Sequence, residues 1–123
     1  MTRVFIYAKE ELAATMAMAL SMSGYSPMYS DRPREALRQI ITFRPKLILA
    51  EYLEVDGEKL CREIRRIKQL DNTQVIMMSE TGQHLNEHAL RSMMRSFGAN
   101  DYLPKPFPCR EIGNYVNSWL KAS

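Results

Sequence analysis

The chain switches between two hydrophobic periods along its whole length. Short runs of strand-forming residues alternate with longer stretches in which apolar residues return every three or four positions. "RVFIYA" from Arg3 to Ala8, "SPMYS" from Ser26 to Ser30, "KLILA" from Lys46 to Ala50, "QVIMMS" from Gln74 to Ser79 and "NDYLPK" from Asn100 to Lys105 are the strand candidates. The helical stripes are Leu12, Met16, Ala19 and Leu20; Ala36, Leu37, Ile40 and Ile41; Leu60, Ile64 and Ile67; Leu85, Ala89, Met93 and Phe97; and Ile112, Val116, Trp119 and Leu120. Asp31 with Pro33 marks the start of the second helix, and "SGY" at 23–25 ends the first. Apolar runs that do not alternate imply a sheet covered on both faces, and parallel strands joined by crossover helices meet that requirement. The pattern predicts a five-fold β-α repeat forming a doubly wound α/β sandwich.

With 123 residues the chain has the length of one domain, 1–123, and buries roughly two thirds of its unfolded surface. Cys61 and Cys109 lack the spacing of a zinc motif or a disulfide framework, and two free thiols fit a cytoplasmic protein. No apolar run approaches the roughly 18 residues of a membrane span, and "MTRVFIYAKE" brings charge too early for a secretory signal. A net charge of +3 does not by itself make a nucleic-acid surface.

In a doubly wound sheet the site lies outside the carboxyl ends of the strands. That directs attention to Ala8 to Glu11, Glu51 to Asp56, Ser79 to Thr81, and Lys105. Glu51 stands where its strand hands over to a loop, as either a solvated carboxylate or a working group. "HLNEH" at 84–88 matches the H-x-x-E-H zinc-protease pattern but has no third ligand or cleft, and reads as a chance match on a surface helix. "REIRRIK" at 62–68 reads as an exposed helix face, with no aromatic residues interleaved to suit nucleic acid. Most methionines fall in element positions and read as core filling.

The stretch "GANDYLPKPFPCREI", Gly98 to Ile112, together with "GYSPMYSDRPREAL" and "RPKLILAEYLEVDGEKLCREIR", resembles the response-regulator receiver domain over essentially the whole chain. The resemblance implies a flavodoxin-like sheet of order 2-1-3-4-5. It also implies a two-component phosphorelay in which a histidine kinase phosphorylates a strand-end Asp. Position by position, Glu51 takes the place of the acceptor, Ser79 of the hydroxyl and Lys105 of the lysine, with Pro106 after it in a cis peptide. Tyr102 takes the place of the switch aromatic. The Mg²⁺-binding acidic pair falls on Ala8 and Lys9, or on Tyr7 and Ala8 in the other register. The implied contact face of fourth helix, fifth strand and fifth helix, available to a partner or a homodimer, centres on Met94, Tyr102 and Tyr115.

This sequence departs from the family pattern in a consistent direction. The acceptor is Glu, the acidic pair is absent, and the loop from Glu51 to Gly57 is shorter by two residues and lacks Met-Pro. Mg²⁺ wants carboxylates in a tight octahedron, whereas here Lys105 and Lys9 face Glu51, with Glu10 or Glu11 nearby. The expectation is a degenerate receiver: not an enzyme, without a cofactor or bound Mg²⁺, regulating a histidine kinase, an output domain or another signalling protein. An orthodox phosphorylation switch and a ligand or nucleic-acid sensor on the same fold are the alternatives.

Overall fold

The computed structural model describes residues 1–80 and 86–122. Its strands are β1 Arg3–Tyr7, β2 Ser26–Ser30, β3 Leu47–Glu51, β4 Gln74–Glu80 and β5 Asp101–Lys105. The helices are α1 Glu10–Met22, α2 Pro33–Phe43, α3 Gly57–Ile64, α4 Glu87–Ser96 and α5 Ile112–Ala122, with single 3₁₀ turns at Lys68–Leu70 and Cys109–Glu111. All strand pairs are parallel and the order is β2-β1-β3-β4-β5. Among the described residues no helix is long and apolar enough to cross a membrane.

The pleat divides the core in two. Val4, Ile6, Leu47, Leu49, Ile76, Met78 and Leu103 face the layer of α1 and α5. Phe5, Tyr7, Ile48, Ala50, Val75, Met77 and Tyr102 face the layer of α2, α3 and α4. Because successive residues point to opposite faces, an uninterrupted apolar strand supplies both layers at once.

Helix faces differ in detail from the stripes read in sequence. Helix α1 buries Ala13, Met16 and Leu20 where Leu12 and Ala19 were expected to join Met16 and Leu20, and Ile41 on α2 is exposed. Helix α4 buries Leu90 and Met94 in place of Ala89 and Met93; it ends at Ser96, and the expected Leu85 lies outside the described residues. A helix on a sheet buries one line of side chains and leaves its flanks half wet, so a broad apolar stripe does not say which edge goes down. Met94 and Tyr102 are buried in the α2–α4 layer, while Tyr115 packs on the α5 side. They do not form the shared contact face expected from sequence.

Helix α3 is also shorter than its stripe: it ends at Ile64, and the next residue, Arg65, turns inward. Its guanidinium donates to Gly98 O at 2.8 Å, Thr73 O at 2.9 Å, Leu70 O at 3.4 Å and Asn100 Oδ1 at 2.7 Å. Asn100 Oδ1 also accepts from the Val75 amide at 2.8 Å. One cation thereby ties the end of α3 to the starts of β4 and β5. Arg62, meanwhile, pairs with Glu58 and lies over the Phe97 ring, 5.2 Å from its centroid. The basic cluster of the sequence is thus partly structural. Arg65→Ala is expected to cost about 2–3 kcal/mol, since it strands several part-buried carbonyls; urea unfolding should show a lower midpoint with the slope unchanged.

Candidate functional site

The carboxyl ends of β1, β3 and β5 converge on Glu51. It is the last residue of β3 and only 3% exposed. A carboxylate so buried costs several kcal/mol unless it is paired and hydrogen-bonded, and here both oxygens are engaged. Oε2 accepts from Lys105 Nζ at 2.6 Å, and Oε1 accepts from the backbone amide of Lys9 at 2.7 Å. Lys105 Nζ also reaches Glu54 Oε2 at 3.0 Å. The site is one ammonium between two carboxylates, with a helix N-terminal amide closing the inner one.

Local backbone explains each position. Glu51 and Lys105 continue the strand parity of Leu49 and Leu103, so both point toward the α1–α5 side. Lys9 precedes α1, where backbone N–H groups have no partner within the helix. Its amide turns in and its side chain turns out to solvent. Asp56 takes a left-handed conformation (φ 56°) and its side chain accepts from the Lys59 amide at 3.3 Å. Gly57 N–H then bonds back to Tyr52 O at 3.0 Å. A Cβ at position 57 would fall on the carbonyl of Glu51, so only glycine lets the loop close this tightly. That closure carries Glu54 over Lys105.

Several expectations change. Lys9 joins the site through its main chain, and no ion pair ties its ammonium to Glu51 among the described residues. The second carboxylate is Glu54, not Glu10 or Glu11. Ala8 is fully buried in the α1–α5 core. Tyr7 faces the other layer, its hydroxyl without a hydrogen-bond partner among the described residues, and burial, with Asp56, Asp31 and Glu63 nearby, pushes its phenol up to about 12. Ser79 is buried, but its hydroxyl donates to Glu80 O at 3.2 Å and not to Glu51. Tyr102 is turned inward, its hydroxyl donating to Ser79 O at 2.9 Å. The Lys105–Pro106 peptide is cis. In "HLNEH", His84 lies outside the described residues and Glu87 pairs with Arg91 at 3.3 Å.

The residues at these positions differ from the carboxylate set that Mg²⁺ prefers. The acidic pair's positions hold an alkyl group and either a cation or a neutral phenol, and the acceptor's oxygens already have donors. Among the described residues no group of three or more His, Cys, Asp or Glu could hold a metal ion.

The fold and the site's position define a receiver of the doubly wound class. A family model for the response regulator receiver domain matches residues 8–117, so the chain belongs to that family. It is a receiver domain of the two-component type. It is 26% identical over 117 residues to the alkaline phosphatase synthesis transcriptional regulatory protein PhoP of Bacillus subtilis, covering 94% of this chain and 46% of that protein. To the phosphate regulon transcriptional regulatory protein PhoB of Pseudomonas aeruginosa it is 29% identical over 99 residues, covering 79% and 42%. The chain thus spans less than half the length of these curated relatives. Among solved structures, the Francisella response regulator 1452 receiver domain matches with a TM-score of 0.82 at 23% identity, over 99% of this chain and 98% of that one. The chemotaxis protein CheY4 of Vibrio cholerae matches with a TM-score of 0.82 at 18% identity, over 96% and 98%. At these identities the structural likeness bears on the fold.

Burial alone would lower Lys105, but the hydrogen bonds and charges of Glu51 and Glu54 hold it above its ordinary value. Burial likewise would raise Glu54, and the hydrogen bond from Lys105 with its charge keeps it below the usual carboxylate range. A raised lysine contributes stability that is complete below its unfolded pKa and lost as pH rises through the folded one. A lowered carboxylate contributes above its unfolded pKa and is lost as pH falls through the folded one. The stability gap between wild type and Glu54→Gln should therefore be flat from about pH 6 to 9 and shrink below about pH 4, read from urea midpoints.

Lys105→Met leaves Glu51 buried with only an amide for company and should cost about 3–5 kcal/mol. The double variant Glu51→Leu/Lys105→Met should recover most of that loss. Equal losses in the single and double variants would show that packing, not charge, sets the effect.

Proposed function

We propose that this receiver works without ordinary phosphotransfer, as a regulatory protein-interaction module held in one state by its own ion pairs. The supporting observation is that both oxygens of Glu51 are already paired, one with the Lys9 amide and one with Lys105. In the family, an acceptor carboxylate attacks phosphorus while Mg²⁺ and the lysine neutralise the phosphoryl oxygens, and that electrostatic stabilisation is the principal catalytic term. Here the metal's ligands are missing and the lysine is committed to two carboxylates. Glu also reaches one methylene further than Asp, which displaces the nucleophile from an in-line geometry.

On this reading the chain is no enzyme and carries no cofactor. It acts in the cytoplasm, and its partner is a histidine kinase, an output domain or another signalling protein. The inward Tyr102, fixed on the Ser79 carbonyl, is the setting that such a partner reads. Direct nucleic-acid contact through residues 62–68 is disfavoured, because Arg65 is spent inside the fold and Arg62 is paired.

Acetyl phosphate or beryllofluoride with Mg²⁺ should produce no mass gain, no acid-labile phosphate and no rise in the thermal midpoint. Glu51→Asp alone should stay inert. Adding Ala8→Asp and Lys9→Asp should bring a saturable Mg²⁺-dependent rise in midpoint. Labelling of the wild type, or robust labelling of Glu51→Asp, would overturn the proposal and restore the orthodox switch.

A further inference from the structure

Helix α2 departs from the charge pattern of its neighbours. On α3 and α4 an arginine pairs with the glutamate four residues before it, Arg62 with Glu58 and Arg91 with Glu87. On α2 the residue four before Arg38 is Arg34, and like charges at that spacing repel. From Arg34 to Lys46 there are four cations and one acid, Glu35. Its carboxylate accepts from Gln39 Nε2 at 3.3 Å and not from an arginine. Among the described residues Arg34, Arg38, Arg44 and Lys46 stand in no ion pair.

These cations border a groove of about 450 Å³ between α2 and the edge of the sheet, lined by Arg3, Met28, Arg38, Gln39, Thr42 and Phe43. Met28 and Phe43 give it an apolar floor, both packed on the α2–α4 core. Arg3 holds that floor in place: its guanidinium donates to Phe43 O at 2.8 Å and lies over the Phe43 ring, 5.7 Å from the centroid. Arg3 also lines a second hollow with Thr2, Arg44 and Lys46, so positive charge continues from one hollow into the next. An apolar floor between cationic walls suits a ligand with an apolar centre and anionic flanks.

The groove runs beside β2, the free edge of the sheet. Ser26 N–H donates to Thr2 O at 2.8 Å and Ser30 O accepts from the Ala8 amide at 3.3 Å, so alternate residues of β2 turn their backbone groups to β1. Pro27 and Tyr29 turn theirs outward, and Pro27 has no N–H to offer. An added strand would therefore miss a ladder bond, and the groove is left to side chains. A nucleic acid has no group for the apolar floor, and Phe43, the ring a base would stack on, already lies under Arg3. A second copy brought up by a two-fold would set one basic face against another. We infer that the groove between α2 and the edge of β2 is a docking site for an acidic peptide segment of a partner protein. One large apolar side chain of that segment sits on Met28 and Phe43, and its carboxylates meet Arg3 and Arg38. The groove lies toward the amino ends of the strands, away from Glu51, and does not depend on how that site is read.

The probe is a fluorescein-labelled heptapeptide of Asp and Glu around a central Phe. Its fluorescence polarisation should saturate below about 1 mM of the protein at low salt, and binding should weaken as salt is raised to about 0.5 M. Replacing the central Phe by Ala should weaken binding about tenfold. Arg38→Glu reverses the charge of one wall, Thr42→Trp fills the groove, and each should weaken binding by about tenfold or more. Their thermal midpoints should hold, since both side chains are exposed. Absence of binding at about 1 mM overturns the inference. So does binding indifferent to the central Phe, which is a charge contact without a groove, and so does binding indifferent to Arg38→Glu and Thr42→Trp. Tighter binding of a duplex DNA oligonucleotide or of vesicles of anionic lipid, lost with Arg38→Glu, overturns it in favour of that class of partner.

Discussion

A negative charge placed at the end of a central strand, almost without solvent, has to be matched from within the protein. Glu51 sets this demand, and much of the carboxyl end of the sheet is arranged to meet it. Lys105 at the end of β5 supplies the opposite charge, and the start of α1 supplies an amide. The short β3–α3 connection brings Glu54 over the ammonium that would otherwise be left with one partner. On the proposed reading, neutralisation from inside takes the place of the divalent ion that the family uses, and the loop is closed around that arrangement.

The two solutions have different consequences. A site that leaves an excess of negative charge among its own residues is completed by an ion from solution, and so remains open to phosphoryl oxygens that share the ion. A site whose carboxylates are matched by its own lysine and a backbone amide has no unmet demand. Breaking it requires separating a buried pair, and that cost makes it rigid. The inward Tyr102 fits this picture, bonded to the main chain of a neighbouring strand and not to a side chain that could move away.

The sheet was legible in the sequence because its demand is simple: strands covered on both faces must be apolar at consecutive positions, as "KLILA" and "QVIMMS" are. Helix orientation was less legible. In α1 the alanines and methionines offer several near-equivalent faces, and contact with the sheet chose Ala13 over Leu12. At the site, topology and resemblance brought out Glu51 and Lys105. Neither could bring out Glu54, whose place depends on the left-handed turn at Asp56 and the missing Cβ of Gly57. Lys9 illustrates a further limit. Its residue type suggested an ammonium in the site, but a helix start sends the side chain outward and the amide inward, and the amide is what Glu51 uses. Arg65 likewise looked like part of a solvated face until the fold surrounded it with carbonyls.

The division of the molecule into two layers also divides its electric field. The charges attached to α1 and α5 are Lys9, Glu10, Glu11, Arg110, Glu111 and Lys121, three of each sign. The whole excess of +3 therefore resides on the rest of the surface, and the neutral layer forms its back. A molecule so built has a preferred attitude in solution: near an anionic body it turns its α2–α4 side forward before any contact is made.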